Sequence, residues 1–160
     1  MRALSLTQPW ASLVATGAKQ IETRSWSTPV RGPIAIHAAK NFPAWAKENC
    51  IYSYFQRALE PIGINSLDDL HLLPTGAIIA VADLAACVST NGGVLNLDGK
   101  TYKAPLPGTP ENAFGDFSRN RYMYFLENVC QLPEPIPCRG ALSFWEVPED
   151  INQQILNLIA

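Results

Sequence analysis

Hydrophobic and polar positions alternate in several short stretches of the chain, which is the pattern of half-buried β-strands. Two such stretches, residues 2–6 and 20–26, flank residues 9–17, where apolar side chains recur at the i, i+3 and i+4 spacing of an amphipathic helix. Thr7 stands at the expected N-cap of this helix, and Gly17 stands at its expected left-handed C-cap. The first 26 residues therefore predict a strand, a helix and a second strand.

The rest of the chain predicts further strands and two more helices. Strands are expected at 33–39, 77–88, 121–132 and 139–147, the last two separated by the proline-rich segment PEPIPC. A longer helix is expected over 43–59, and a capped amphipathic helix follows Asp150. Residues 89–112, rich in Gly, Pro, Asn and Thr, form either a long surface loop or an excursion with a small hairpin around Asp98 and Gly99.

About six strands and three helices without regular β-α-β alternation indicate an α+β, mostly β fold with a curved or barrel-like sheet. No linker or internal repeat divides the sequence, so residues 1–160 are predicted to form a single domain. The glycine-rich motifs that bind dinucleotides or the phosphates of nucleoside triphosphates do not occur, and the sequence argues against both of these chemistries.

Composition excludes several classes of protein. Apolar residues make up 48% of the chain and charged residues 16%, which is too apolar for a disordered chain. No apolar run reaches the roughly 20 residues that span a bilayer, since the best candidate, 77–88, contains Asp83. Gln8 and Pro9 interrupt the apolar start that mimics a signal peptide. The sequence therefore predicts a cytoplasmic or nuclear protein without a membrane segment.

Metal-ligating residues are sparse. The four cysteines lie far apart without a Cys-x-x-Cys pair, and the chain has two histidines. This pattern favours neither a zinc site nor a disulfide framework, and no metal or other cofactor is predicted.

Charge is distributed unevenly along the chain. Residues 1–47 hold six basic residues and one acid, a balance of +5, whereas the remainder has a balance of −7. This asymmetry is compatible with an anionic partner on the first segment, and equally with scattered surface charges.

The densest group of chemically active side chains lies in residues 8–40. The spacing Gly-x-Lys-x-x-Glu-x-Arg is met by Gly17, Lys19, Glu22 and Arg24. Together with the surrounding QPWASL, RSW, TP and RG elements, this stretch resembles the ASCH domain, a relative of the PUA fold. The resemblance continues through the apolar run that begins at Gly76 and the closing strand with Gly140 and Trp145, whereas residues 89–112 match poorly.

The resemblance implies a PUA-like pseudo-barrel whose cleft is associated with recognition of RNA or a modified nucleoside. Some small relatives are amidohydrolases of N-acetylated cytidine, in which the motif lysine works with a threonine three residues later. Lys19 is present here, but Glu22 takes the threonine position, which argues against a threonine nucleophile. Catalysis by Lys19 with Glu22 is conceivable, although a neighbouring carboxylate raises the pKa of a lysine and opposes that role. Nuclease activity is also ascribed to family members, and the resemblance leaves open whether the chain is an enzyme.

Strand geometry adds a physical interpretation of this motif. Glu22 and Arg24 lie two residues apart on a predicted strand, so their side chains share one face with Cα atoms about 7 Å apart. With Lys19 they can contact a phosphate or hydrogen-bond a base, while Trp10 or Trp26 offers a stacking face. Alternatively, the three charges form an internal ion-pair network that pins the helix to the strand.

Other side chains are secondary candidates. Gln8 either reads a base edge or satisfies backbone groups at the helix start. Arg31 and Lys40 are either a basic rim for nucleic acid or plain surface charges. Asp83 interrupts an apolar strand and is either a structural acceptor or an acid in the cleft. His37 is interpreted as a satisfied sheet residue, since no partner is identifiable by spacing. The tryptophans Trp45 and Trp145 are assigned to core and rim packing.

Three functions follow as alternatives. The leading expectation is a nucleic-acid or nucleoside recognition domain that binds RNA, another single-stranded nucleic acid or a modified nucleoside. Its expected pocket contains the triad Lys19, Glu22 and Arg24, with Gln8 and Trp10 beside it. The second is a hydrolase acting on a modified nucleoside or RNA in the same cleft, and the third is an adaptor for a protein partner.

Overall fold

The computed structural model describes residues 1–160 and contains eight β-strands, five α-helices and two short 3-10 segments. The strands are Arg2–Leu6 (β1), Ile21–Arg24 (β2), Gly32–Ala38 (β3), Ala77–Ser89 (β4), Val94–Leu97 (β5), Lys100–Lys103 (β6), Tyr122–Pro137 (β7) and Phe144–Glu146 (β8). The α-helices are Trp10–Ala15 (α1), Ala44–Asn49 (α2), Ser53–Leu59 (α3), Pro110–Phe114 (α4) and Glu149–Ile159 (α5), and the 3-10 segments are Glu60–Ile62 and Leu67–Leu72. None of the helices has the length and apolarity needed to cross a membrane.

Six strands form one curled, half-barrel sheet in the order β2-β7-β4-β3-β1-β8, while β5 pairs only with β6. β1 and β3 run parallel, and every other neighbouring pair is antiparallel. The long central strands β4 and β7 shift register three times, and such bulges increase the local twist and bend of a sheet. The predicted α+β, mostly β fold with a barrel-like sheet of about six strands is confirmed, although five helices replace the predicted three.

The curled sheet carries an apolar core on each face because β1 and β3 bury side chains in both directions. Leu4 and Leu6 pack with α1 on one face, whereas Ala3 and Ala35 lie with Ile155 of α5 on the other. Burying each aliphatic side chain of this kind contributes roughly 2 kcal/mol. The packing fixes α1 against the sheet and, with it, the residues of the sequence motif that follow.

The predicted helix over residues 43–59 is wrong in one respect, because it consists of two helices. The backbone leaves helical geometry at Tyr52, where ψ is 145°. A straight helix would separate Trp45 from Phe55 by about 15 Å along its axis. The break allows both rings to pack on Trp10, with ring centroids 5.7 and 5.9 Å from the indole.

The proline-rich segment does not separate two strands as predicted, since β7 continues through it to Pro137. Beyond Gln131, β7 pairs with β4 again only at Ile136 and Pro137. Residues 132–135 have no partner in that ladder, so the missing N–H groups of their prolines break no ladder bond. The predicted last strand shrinks to β8, and residues 139–143 form a loop instead.

Residues 89–112 contain the hairpin rather than an unstructured loop. β5 and β6 are joined by Asp98 and Gly99, whose φ angles are +50° and +78°. Positive φ at both positions defines the type I′ turn that Asp-Gly favours. The chain then forms α4, which delivers Glu111 and Phe114 to the region beside β2.

Candidate functional site

A cleft of about 480 Å³ opens beside β2. This first cleft is lined chiefly by Trp10, Glu22, Arg24, Trp45, Asp116 and Arg121. Its walls therefore come from α1, β2, α2 and the segment between α4 and β7. Three of the predicted ligand-binding residues line it, namely Trp10, Glu22 and Arg24, whereas Lys19 and Gln8 are buried outside its lining.

The motif charges form a compact ion-pair network. Lys19 is fully buried, donates from Nζ to the carbonyl oxygen of Ile21, and lies 3.7 Å from Oε1 of Glu22. Arg24 donates to the other oxygen of Glu22 at 3.2 Å and to the carbonyl of Ser5 at 2.8 Å. The internal network is thus present, but 12% of the Glu22 side chain and 24% of the Arg24 side chain are exposed in the first cleft. Glu22 and Arg24 thus present polar atoms to the first cleft, whereas Lys19 is buried beneath them.

Glu111 is a second carboxylate beside Lys19 that sequence reasoning missed. One of its oxygens accepts a hydrogen bond from the Gln20 amide at 2.6 Å, and the other is buried with no hydrogen-bond partner. Burial raises the pKa of Glu111, and burial also lowers the pKa of Lys19 although Glu22 and Glu111 oppose that shift. No sequence spacing links these groups, because only the tertiary fold carries α4 to β2.

Two tryptophans form an aromatic wall in the first cleft. The rings of Trp10 and Trp45 lie 5.7 Å apart at an angle of 33°, and Trp10 donates from Nε1 to the Phe114 carbonyl at 2.7 Å. Trp45 remains 58% exposed although it is the largest apolar side chain on α2. The sequence predicts a packing role for Trp45, whereas its position as the one large apolar side chain in AWAKEN is the signal that could have marked it as a surface contact.

Arg121 and Asp116 complete the charges of the first cleft, and neither belongs to the sequence motif. Arg121 donates to the carbonyls of Asp116 and Thr23, each at 3.2 Å, and its Nε lies 3.5 Å from the Asp116 carboxylate. Hydrogen bonds from Ser118 lower the pKa of Asp116. The lining therefore holds two carboxylates and two guanidinium groups, so its formal charge is balanced.

Gln8 has a structural role in the fold. Its side chain is fully buried, donates to Ser12 Oγ and to the Pro74 carbonyl, both at 2.8 Å, and accepts from the Ser12 amide at 3.0 Å. These contacts match the expectation that Gln8 satisfies backbone groups at the start of α1. Contact between Gln8 and a base edge stays a prediction. No atom of the Gln8 side chain is exposed to support it.

Three further candidates lie away from the first cleft. Arg31 donates to the carbonyls of Thr28 and Val30 on its own turn. Asp83, on β4, accepts a hydrogen bond from Asn128 at 2.9 Å, as expected of a structural acceptor. Lys40 is exposed and lines a separate cleft. Ligand binding by these three residues stays a prediction.

His37 lies in a hydrogen-bonded chain across β1, β3 and β8. Its Nε2 lies 2.8 Å from the Cys138 carbonyl, which can only accept, so this nitrogen carries a proton. The neutral ring then accepts at Nδ1 from the Ser5 hydroxyl at 2.9 Å, and Trp145 donates to Ser5 Oγ at 3.1 Å. His37 is thus a satisfied residue of the sheet, as interpreted from the sequence.

Stability is expected to fall as the pH drops below about 6.5, in part because of His37. Burial lowers the pKa of His37 below its ordinary value of 6.5, so the unfolded chain takes up a proton that the folded chain excludes. Above that pH the His37 ring is neutral in both the folded and the unfolded chain. Below it, the free energy of unfolding declines by up to about 1.4 kcal/mol per pH unit. Urea unfolding of wild type and His37→Gln between about pH 7.5 and 5.5 measures this slope. The surface variant His71→Gln is the matched control, and equal slopes in wild type and His37→Gln would contradict the expectation.

Comparison with known proteins places the chain in a family. The model of the ASCH domain matches residues 4–103. Activating signal cointegrator 1 from Homo sapiens is 27% identical over 150 residues, and the Mus musculus protein is 26% identical. Each match covers 94% of this chain but only 23% of the relative, so the chain spans about a quarter of the length of these proteins.

Solved structures agree at the level of the fold. The ASCH protein from Zymomonas mobilis superposes with a TM-score of 0.53 at 15% identity, covering 98% of this chain and 94% of that one. A tyrosine-to-phenylalanine mutant of the same protein gives the same TM-score and covers 96% of that chain. Because the domain model matches well over half of the sequence, this chain belongs to the ASCH domain family, which is generally RNA-related.

Proposed function

We propose that this domain recognises a nucleobase of RNA or of another single-stranded nucleic acid in the first cleft. The observation that carries the proposal is the exposed Trp45 ring, which stands against Trp10 in the same cleft as the Glu22 carboxylate. A base stacked on an aromatic side chain gains about 1–3 kcal/mol, and unstacked bases of single strands are the usual ligands of such surfaces.

The charges of the first cleft suit a base edge better than a row of phosphates. Glu22 is held by Arg24 and Lys19 and uses one oxygen to accept from the Thr23 amide at 3.0 Å. A carboxylate has about four lone-pair positions, so Glu22 retains capacity to accept from an exocyclic amino group. Arg24 and Arg121 can donate to ring nitrogens or carbonyls. The balanced lining provides little net attraction for an anion.

The test is loss of binding in Trp45→Ala. The variant should weaken binding of a labelled hexaribonucleotide, tried for each of the four bases, by about 5- to 150-fold, the loss expected when about 1–3 kcal/mol of stacking is removed. Fluorescence anisotropy measures the affinity. Because Trp45 is 58% exposed, the variant should keep its fold, which circular dichroism checks.

Two variants serve as controls for this experiment. Trp45→Phe retains an aromatic face and should recover most of the affinity. Tyr52→Ala removes another exposed aromatic ring, 60% accessible and outside the first cleft, and should bind as wild type does. Unchanged affinity in Trp45→Ala would reject the proposal, as would the absence of binding to any of the four hexaribonucleotides.

Hydrolysis of an acylated nucleoside or of RNA is the second candidate function. It draws support from Lys19, whose pKa is lowered by burial and which has two carboxylates beside it. Against it, the Lys19 side chain is 1% exposed, so reaction at Nζ requires the cleft floor to open. Incubation of the wild-type protein with N4-acetylcytidine and with a hexaribonucleotide, followed by chromatography, tests this function. Absence of product from both substrates would reject it.

A further inference from the structure

A second cleft, of about 1020 Å³, opens next to the first. Its lining includes Ser5, His37, Lys40, Arg139 and Gly140, and it contains no aspartate or glutamate. Lys40 and Arg139 are both exposed. In contrast to the balanced charges of the first cleft, the charged groups of the second cleft are exclusively cationic.

The two clefts share Ser5 as a common lining residue. The carbonyl oxygen of Ser5 accepts from Arg24 at 2.8 Å, and its hydroxyl hydrogen-bonds His37 at 2.9 Å. Strand β1, which carries Ser5, thus forms the boundary at which the clefts meet. Because they share Ser5 in their linings, the two clefts are adjacent.

Backbone N–H groups add hydrogen-bond donors to the cationic side chains of the second cleft. The N–H groups of residues 139–142 donate no hydrogen bond within the chain. At Gly140 the backbone approaches the cleft floor so closely that a Cβ atom would lie 2.6 Å from the His37 ring and 2.8 Å from Ser5 Oγ. Arginine, lysine and free backbone N–H groups are the donors that proteins use for phosphate oxygens.

We propose that the second cleft binds the sugar-phosphate backbone adjoining the nucleotide whose base occupies the first cleft. This inference rests on the proposed function and narrows its ligand to a single-stranded nucleic acid chain rather than a free nucleoside. The first cleft reads a base, and Lys40, Arg139 and the amides of residues 139–142 hold neighbouring phosphates. Affinity therefore increases from nucleoside to oligonucleotide, and the increase depends on salt.

The experiment compares wild type with the double variant Lys40→Ala/Arg139→Ala. Binding of hexaribonucleotides, the four nucleosides and their 5′-monophosphates is measured by titration calorimetry from about 50 to about 200 mM salt. Hexaribonucleotide affinity should fall about tenfold, and the slope of log affinity against log salt should become shallower by about 1.4, for two phosphates at about 0.7 each. Nucleoside affinity should not change. The double variant Arg57→Ala/Lys103→Ala removes the same charge at two exposed sites outside both clefts and should bind as wild type.

Each alternative outcome overturns the inference. Wild type that binds a nucleoside or its monophosphate as tightly as the hexaribonucleotide would show that no chain occupies the second cleft. An equal loss of hexaribonucleotide affinity in the two double variants would show that the net charge of the protein, rather than the second cleft, determines the affinity. A third outcome is that wild type binds hexaglutamate as tightly as RNA while Lys40→Ala/Arg139→Ala no longer binds hexaglutamate. That result would show that the second cleft is a site for acidic peptides. Failure of the proposed function gives a different result. If the first cleft does not bind a base, either Trp45→Ala leaves hexaribonucleotide affinity unchanged or wild type binds no hexaribonucleotide.

Discussion

Replacing Lys19 by methionine is expected to lower the free energy of unfolding by about 3 kcal/mol. Methionine fills a similar volume but removes the ammonium group that pairs with Glu22 and interacts electrostatically with Glu111. Removing one partner of a buried ion pair usually costs about 3–5 kcal/mol, since the other charge stays buried without compensation. We expect the lower end of this range because Arg24 still pairs with Glu22. Urea unfolding at neutral pH measures the loss.

Two further variants make the Lys19 experiment specific. Lys103→Met makes the same substitution at an exposed position of β6 and should remain within about 0.5 kcal/mol of wild type. Glu111→Gln in the Lys19→Met background removes a carboxylate that has lost its cation, and it should restore part of the lost stability. A Lys19→Met protein as stable as wild type would show that the buried network contributes nothing to folding.

Replacing Gln8 by alanine should also cost about 3 kcal/mol, from lost hydrogen bonds and from the space left behind. The Gln8 side chain holds three hydrogen bonds that involve Ser12 and the Pro74 carbonyl. Alanine leaves the Ser12 amide and the Pro74 carbonyl without these partners in the protein interior, and each unsatisfied buried group costs about 1–3 kcal/mol. Thermal and urea unfolding measure the change.

The Gln8 experiment also decides between the two sequence-based interpretations of this residue. Gln20→Ala is the matched control, because the Gln20 side chain is exposed and its contact with Glu111 is made by the backbone amide. Unchanged stability in Gln8→Ala together with reduced binding of hexaribonucleotides would indicate a ligand contact. Reduced stability, with the affinity of the folded fraction unchanged, is the expected outcome.

Local patterns in the sequence determined a large part of the fold. The alternation in residues 20–26 predicts that Glu22 and Arg24 share a face opposite Ile21, and the burial pattern of β2 agrees. The Asp98-Gly99 turn was predictable because two positive φ angles restrict which residues fit. The break at Tyr52 was not, since it depends on both Trp45 and Phe55 packing on one Trp10 ring.

The sequence by itself identified the family motif, the mostly β fold and three lining residues of the first cleft, Trp10, Glu22 and Arg24. These features depend on the spacing of residues within one strand or helix, and that spacing can be read directly from the amino-acid sequence. Only the tertiary structure placed Glu111 beside Lys19 and made Ser5 the boundary of two clefts. Those contacts join segments that are about 90 to 135 residues apart in the sequence. Packing of the whole sheet, rather than any local pattern, determines which side chains meet there.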